Sequence, residues 1–305
     1  MLFVASARHA AWTTASKEGK VTLDANQPKP LRIGFHVSIA DGIDRAVDRA
    51  VELGCTTFQI FTRNPRTWAS RTLGTAEVSL FRSKLAATSI GPVFSHMPYI
   101  PNLSSPNTTV YKKSVTSLLE EVERSTALGV PYIVIHLGSR VGSDPAEAKT
   151  RLASAVAVAT DLGGPRLLLE NGTGSGGHMG STMEDLAELI GLISSGSVGI
   201  AFDTCHAFAS GYDVGSEIGL GATLDAIRRT VGMERVKLIH LNDSVGVLGS
   251  GIDRHEHIGM GQIGESGFRS ILRSALSDLP LVMETPIDER RSDAENLAKI
   301  RALAV

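Results

Sequence analysis

Seven side chains able to do acid–base chemistry or ligate a metal occupy one kind of place in this 305-residue chain, the end of a short apolar run. His96 closes the run 92–97, His136 the run 132–138 and Glu170 the run 166–171. Asp203 and His206 close 198–206, His240 closes 236–243 and Glu284 closes 281–285. Burying imidazoles and carboxylates together without compensation is costly. Metal ions resolve that cost, because neutral imidazole and ionised carboxylate are both natural ligands of Zn²⁺. Asp253-Arg254-His255 adds an i, i+2 pair, which an extended segment projects to one side. A tetrahedral zinc site takes about four ligands, so nine candidates sharing a bridging carboxylate suit two or three ions better than one. A lone histidine at a strand end is ordinarily a hydrogen-bonded core group. Independent structural roles would not gather seven such groups at one rim.

The elements that must position them are legible in the hydrophobic pattern. Runs at 31–39, 57–62, 92–97, 132–138, 166–171, 198–206, 236–243 and 281–285 are of strand length and mostly apolar rather than alternating. That is the pattern of parallel strands buried on both faces. Amphipathic stretches lie between them, clearest at 41–53, 111–128, 146–162 and 183–193. In the first, Ile43, Ala46, Val47, Ala50, Val51 and Leu53 recur at helical spacing. Eight strand–helix units predict an α/β fold, a single (β/α)8 TIM barrel, with a doubly wound open sheet as the alternative. In a parallel barrel all strand C-termini face one opening, where barrel enzymes keep their active sites. The catalytic domain is expected over 31–305, behind an N-terminal extension, 1–30, expected to be disordered.

Composition narrows the class. Forty-two per cent hydrophobic and 20% charged residues exclude collagen-like, disulfide-framework and wholly disordered chains. Thirty Lys and Arg against 32 Asp and Glu give a net charge of −2, so bulk positive charge does not advertise nucleic acid. A local basic rim or a metal cluster could still attract phosphate. Cys55 and Cys205 form no CxxC pair and point to a reducing compartment, the cytoplasm. No apolar run approaches the roughly 18 residues of a membrane span, and the first 20 residues lack a basic start typical of a secretory signal.

Several residues read as structural or peripheral. His36 lies inside the first strand and is expected in the floor or core; Cys205 is expected in the core. His178, in the Gly-rich loop 172–180, and His257, just past His255, are expected to be exposed or near a substrate; His9 belongs to the extension. The Gly-rich loop lacks the Lys-Ser/Thr of a P-loop, so it suits close backbone approach to a bulky ligand rather than nucleotide binding. Thr62-Arg63-Asn64-Pro65-Arg66-Thr67-Trp68 brings two cations and an indole to a loop on the barrel's opening, a combination suited to a phosphate backbone with a gap in its base stack. Packing of Trp68 against the barrel is the alternative.

Taken together, these segments resemble the endonuclease IV family of DNA-repair enzymes. The matching stretches are GFHVSIADGIDRAVDRAVELGCTTFQIFTRNPRTW, SHMPYIPNLSSP, IHLGSR, LLLENGTGSGG, AFDTCHAFASGYD, HLNDS, GIDRHEHIGMGQIG and METP, in order over about residues 34 to 286. The resemblance implies a (β/α)8 barrel that cuts the DNA backbone 5′ to abasic sites, leaving a 3′-hydroxyl and a 5′-deoxyribose phosphate, and trims blocked 3′ ends. It implies three Zn²⁺ ions, with Mn²⁺ substitution left open. His96, His136 and Glu170 would hold the first; Glu170 would bridge to the second, completed by Asp203, His240 and Glu284; His206, Asp253 and His255 would hold the third. Arg66 and Tyr99 match the residues with which the family wedges into DNA at the lesion. Met97-Pro98, between His96 and Tyr99, departs from a more polar family pattern, as does the extension.

The implied chemistry is in-line attack by water without a side-chain nucleophile. Glu170 is the expected bridging ligand and Arg254, from its neighbours, the group that steadies the phosphate. The expected partner is double-stranded DNA carrying an abasic site, bound by a monomer, in the cytoplasm at the nucleoid. The rival is a sugar isomerase or epimerase of the xylose-isomerase-like barrel class, which places Glu, Asp, His and Glu where Glu170, Asp203, His240 and Glu284 stand, and which needs one or two metals. A non-enzymatic zinc or DNA-scaffolding protein is the third reading.

Overall fold

The computed structural model describes residues 30–193 and 198–305; the expectation for the extension, His9 included, lies outside the described residues except at Pro30. Eight parallel strands form the inner wall: β1 (Ile33–Phe35), β2 (Phe58–Phe61), β3 (Val93–His96), β4 (Tyr132–Ile135), β5 (Arg166–Glu170), β6 (Gly199–Asp203), β7 (Val236–His240) and β10 (Leu281–Met283). They pair in the order β1-β10-β7-β6-β5-β4-β3-β2. The ends meet through a parallel bridge between His36 and Gln59, where Val37 N–H donates to Gln59 O at 2.8 Å. Closure brings backbones together at Gly34, where a Cβ would lie 1.8 Å from the Thr57 carbonyl oxygen. Only glycine fits there.

The helices expected from sequence form at α1 (Arg45–Glu52), α3 (Thr108–Leu128), α4 (Pro145–Asp161) and α5 (Met183–Ile193). Four further helices complete the outer ring: α2 (Thr75–Ala86), α7 (Glu217–Arg229), α8 (Gly264–Leu272) and α9 (Asp293–Leu303). Their starts are chemically specified. The Asn107 side chain accepts from Thr109 and Val110 N–H, Asp144 from Ala146 and Glu147, and Ser292 and Glu295 form a capping box. Helix α1 begins later than the apolar pattern suggests, because Asp41 and Gly42 adopt positive φ and form a turn.

The strands divide their side chains between two cores. Phe58, Ile60, Ile133, Ile135, Leu167, Leu169, Ile200 and Phe202 face the helices. Phe94, Val134, Leu168, Ala201, Leu238 and Val282 form a separate, fully buried cluster inside the barrel. This double burial is why the strand runs do not alternate in sequence.

Each strand is shorter than its apolar run, and in the sixth and seventh the remainder of the run forms another element. The sixth stops at Asp203, whose Oδ1 accepts the His206 N–H at 2.8 Å and starts the short helix α6 (Thr204–Ala209). His206 therefore sits on a helical turn rather than at a strand end. The seventh stops at His240; Asp243–Ser244 (β8) instead pairs antiparallel with His255–Glu256 (β9), making a hairpin over the opening. No described helix is long and apolar enough to cross a membrane.

Candidate metal centre

His96, His136, Glu170, Asp203, His240 and Glu284 each stand two residues beyond a member of the inner apolar cluster: Phe94, Val134, Leu168, Ala201, Leu238 and Val282. With a side-chain period of two, the next inward position on each strand lies one layer nearer the C-terminal opening. Six strands thereby deliver six ligating groups to one plane. Helix α6 adds His206, and the hairpin β8–β9 with its loop adds Asp253 and His255.

The potential ligand atoms fall into three groups, each within 4.8 Å: His96, His136 and Glu170; Glu170, Asp203, His240 and Glu284; and Asp203, His206 and His255. Asp253 adjoins the third, with Oδ1 3.0 Å from His206 Nε2 and 3.9 Å from His255 Nε2. Glu170 links the first two groups, lying 3.3 Å from His96 Nε2 and 2.9 Å from His240 Nδ1. Asp203 links the second and third, 3.7 Å from both His240 Nδ1 and His255 Nε2. All nine candidates thus surround one opening.

The imidazoles are oriented as ligands are. Nδ1–H of His96 donates to the Met97 carbonyl at 2.7 Å, that of His206 to Asn171 O at 2.9 Å, and that of His255 to Glu284 O at 3.0 Å. His240 donates through Nε2–H to Gln59 Oε1 at 2.9 Å. In each ring the other nitrogen faces the carboxylates, the orientation that second partners impose on metal-bound histidine. His255 Nε2 is buried without a hydrogen-bond partner, a donor atom left for a cation.

Electrostatics point the same way. Burial alone would raise the Glu170 carboxyl, but the surrounding imidazoles, His136 and His240 foremost, outweigh it and hold it well below the usual range. Glu284 is held low in the same way by His240 and His36. Conversely, burial works against a charged imidazole, yet Glu284 and Glu170 lift His240 to about 9, and Asp203 and Asp253 raise His206 well above its ordinary value. His136, with a third of its side chain facing the opening, is pushed down to about 4 by desolvation and neighbouring rings. The carboxylates therefore hold positive charge tightly at this spot, carried by the His240 and His206 rings themselves or by zinc ions that would displace those protons.

Three buried amides that sequence reasoning passed over hold the ligands. Gln59 bridges His240 and Glu284, its Nε2 donating to Glu284 Oε1 at 2.8 Å. Asn242 donates to Asp203 Oδ2 at 2.7 Å and accepts from Glu284 N–H at 2.8 Å. Asn171 brackets the Asp203 backbone through both its amide atoms. Their one available signal is adjacency: Asn171 follows Glu170, and Asn242 lies two residues after His240. Asp243 is a further anchor, its carboxylate accepting backbone N–H groups of Gly259, Gly261 and Ile263 at 2.8 to 3.0 Å.

The remaining candidates divide. Tyr99 is 57% exposed at the opening, its ring 5.8 Å from that of His136, and its N–H donates to Pro65 O at 3.2 Å. That bond ties its loop to the one bearing Arg66, which is exposed. Arg254 is exposed and lines the cavity of about 410 Å³ that also contains His96, Glu170 and Glu284. His178 is exposed beside a neighbouring cavity, of about 300 Å³, that reaches His136 and Asp253. His36 lies in the floor against Glu284, and Cys205 is fully buried. Trp68 is 37% exposed, with Lys113 Nζ 5.9 Å from its ring centroid.

Two expectations are corrected. His257 is not exposed and lines none of the described cavities at the opening: it is fully buried, its ring held by Asp288 and Asn296. Arg63 does not reach the opening; it turns back onto α3, pairing with Glu120 Oε2 at 2.5 Å and Ser117 O at 3.1 Å. Both are polar residues that tertiary partners draw inward.

Comparison with known proteins agrees with this geometry. Residues 47–303 match the family model described as xylose isomerase-like TIM barrel. A relative from Methanoculleus marisnigri, named probable endonuclease 4, is 49% identical over 277 residues, covering 89% of this chain and 98% of the relative. The chain belongs to the endonuclease 4 family. The crystal structure of endonuclease IV from Thermus thermophilus superposes with a TM-score of 0.80 at 42% identity, covering 89% of this chain and 98% of that one. A D-tagatose 3-epimerase-like protein superposes at 0.66 with 18% identity, covering 90% and 98%, a likeness of fold alone. Endonuclease 4 relatives thus share both sequence and fold with this chain, whereas the epimerase-like protein shares only the barrel.

Proposed function

We propose that this protein is a DNA-repair endonuclease that hydrolyses the phosphodiester 5′ to abasic sites, leaving a 3′-hydroxyl and a 5′-deoxyribose phosphate, and that it trims blocked 3′ ends. The observation that carries the reading is the ligand arrangement: three linked groups, with four imidazoles fixed by a second partner so that the free nitrogen faces the carboxylates. The family's named relatives support the nuclease activity.

Zinc ions, held by the three groups, would supply an activated water near neutral pH and neutralise charge at phosphorus. His96 and His136 complete the first group and His240 and Glu284 the second, with Glu170 shared between them. His206, His255 and Asp253 form the third together with Asp203, on the side of the cavity where Arg254 is exposed to meet a phosphate oxygen. Arg66 and Tyr99, on loops joined by the Tyr99–Pro65 bond, fill the gap left when the abasic sugar leaves the stack, which costs less where no base is present. The enzyme acts as a monomer on duplex DNA, in the cytoplasm. A one- or two-metal sugar isomerase would use Glu170, Asp203, His240 and Glu284 but gives no role to His96, His136, His206 and His255.

The test is a labelled duplex with one abasic analogue, run beside an intact duplex and the His136→Ala variant, on protein with measured metal content. A single cut 5′ to the lesion, absent in both controls, is expected. No cut by protein holding three zinc ions would overturn the substrate and turn attention to sugars.

A further inference from the structure

The hairpin that delivers His255 is gripped from behind by residues that belong to none of the three ligand groups. Nδ1 of the buried His257 accepts from Asn296 Nδ2 at 3.0 Å, so Nε2 carries the hydrogen and donates to Asp288 Oδ1 at 2.9 Å. Asp288 is fixed by Arg290, whose Nη2 donates to Oδ2 at 2.7 Å while Nη1 donates to Glu256 Oε2 at 2.8 Å. Asn296, in the first turns of α9, also accepts the Ile258 N–H at 3.2 Å.

These bonds close a loop through two ligands. Asp288 follows Glu284 by four residues and His257 follows His255 by two, while His255 Nδ1–H donates back to the Glu284 carbonyl at 3.0 Å. Glu284 belongs to the second ligand group and His255 to the third. We propose that His257 and Asp288 are positioning residues that fix the third group relative to the second, so that breaking their bond selectively weakens the third ion. The inference rests on the three-ion reading above. Its physical basis is that His255 reaches the cluster from a two-residue strand, and a ligand on a loop free to wander must be ordered at the moment of binding. Outer partners of metal ligands typically carry about 10- to 100-fold in affinity.

The experiment uses Asp288→Ala, because the Asp288 side chain is 35% exposed and its removal opens no core cavity. Zinc-loaded wild type and variant are titrated with a competing chromogenic chelator, with zinc per chain counted after dialysis and apoprotein melting followed by circular dichroism. Wild type is expected to retain three zinc ions. The variant is expected to retain two at wild-type affinity and to release the third about 10- to 100-fold more readily, with an unchanged apoprotein melt. His257→Gln, whose amide N–H can still donate to Asp288, is expected to restore most of the third ion's retention, whereas His257→Ala is not. Three ions held by Asp288→Ala at wild-type affinity, or all three weakened alike, would overturn the coupling. A wild type that binds only one or two ions overturns the three-ion reading instead, and the two failures are told apart by the wild-type count.

Discussion

Two layers of the barrel interior lie two residues apart on the same strands, yet they have opposite chemistry. The lower layer, Phe94, Val134, Leu168, Ala201, Leu238 and Val282, is apolar and fully buried. The upper, His96, His136, Glu170, Asp203, His240 and Glu284, contains no apolar side chain and ranges from fully buried to a third exposed. Six consecutive interior positions change character with one step along the pleat. The lower layer shows what a barrel interior needs to fold; the upper shows what is placed there at a cost that burial alone would not tolerate. The cost is offset by mutual pairing of imidazoles with carboxylates and by the amides of Gln59 and Asn242, in a set whose groups could hold metal ions.

The sharpest way to break this contrast is to exchange a property between layers. Glu170→Gln keeps the volume of the upper layer but removes the charge shared by two ligand groups. We expect kcat/KM on an abasic-analogue duplex to fall by at least about a thousandfold, or about 4 kcal/mol of transition-state stabilisation, with the fold intact by circular dichroism. In the lower layer, Leu168→Ala should do the converse. It should lower unfolding free energy by about 2 to 5 kcal/mol in denaturant titration while leaving kcat of the folded enzyme unchanged. A large loss of kcat in the folded Leu168→Ala protein would show that the layers are not separable.

A second pair of buried carboxylates sharpens the role of pairing. Glu170 is held low by its imidazoles, whereas Glu121, fully buried behind β2, is pushed up to about 7 by desolvation. Glu121 accepts from Thr62 Oγ1 at 3.0 Å, but Arg63 Nε stands 3.9 Å away and Oε1 has no partner. A carboxyl whose folded value lies above its ordinary 4.5 binds its proton more tightly when folded. Its contribution is therefore full below about pH 4.5 and is lost as pH rises through 7, on the order of 3 kcal/mol. Glu121→Gln should flatten stability over that interval, so that variant and wild type converge at low pH and the variant is the more stable near pH 8. Parallel pH curves would show that Glu121 stays charged in the fold.

The smallest expected effect concerns the rim. Tyr99→Ala removes an exposed ring whose loop is joined to that of Arg66. We expect affinity for the abasic duplex to fall about tenfold, within the range of one lost aromatic stacking contact, with a smaller change in kcat. Unchanged affinity by fluorescence anisotropy would remove the wedge role.

The strands, their parallel pairing and six of the nine candidate ligands were legible because they depend on local pattern: apolar runs of strand length, six of them carrying a polar group at the strand end that does not belong in an apolar run. Barrel geometry then required those ends to meet. Boundaries were less legible where a polar side chain redirects the backbone, as Asp203 does by capping α6 and Asp41 by turning before α1. What only the tertiary structure decided was the fate of polar residues without a periodic signature. His257 reads in sequence like its neighbour His255, but Asp288 and Asn296 draw it into the interior. Arg63 reads like Arg66, but Glu120 and Ser117 on α3 claim it. Gln59 becomes a ligand-holding group because closure of the barrel brings His240 and Glu284 beside it, and Asn242 because its neighbouring strands place Asp203 and Glu284 on either side. A local pattern specifies which face a side chain occupies; its partner, more than 180 residues away for Gln59 and His240, is specified by the fold.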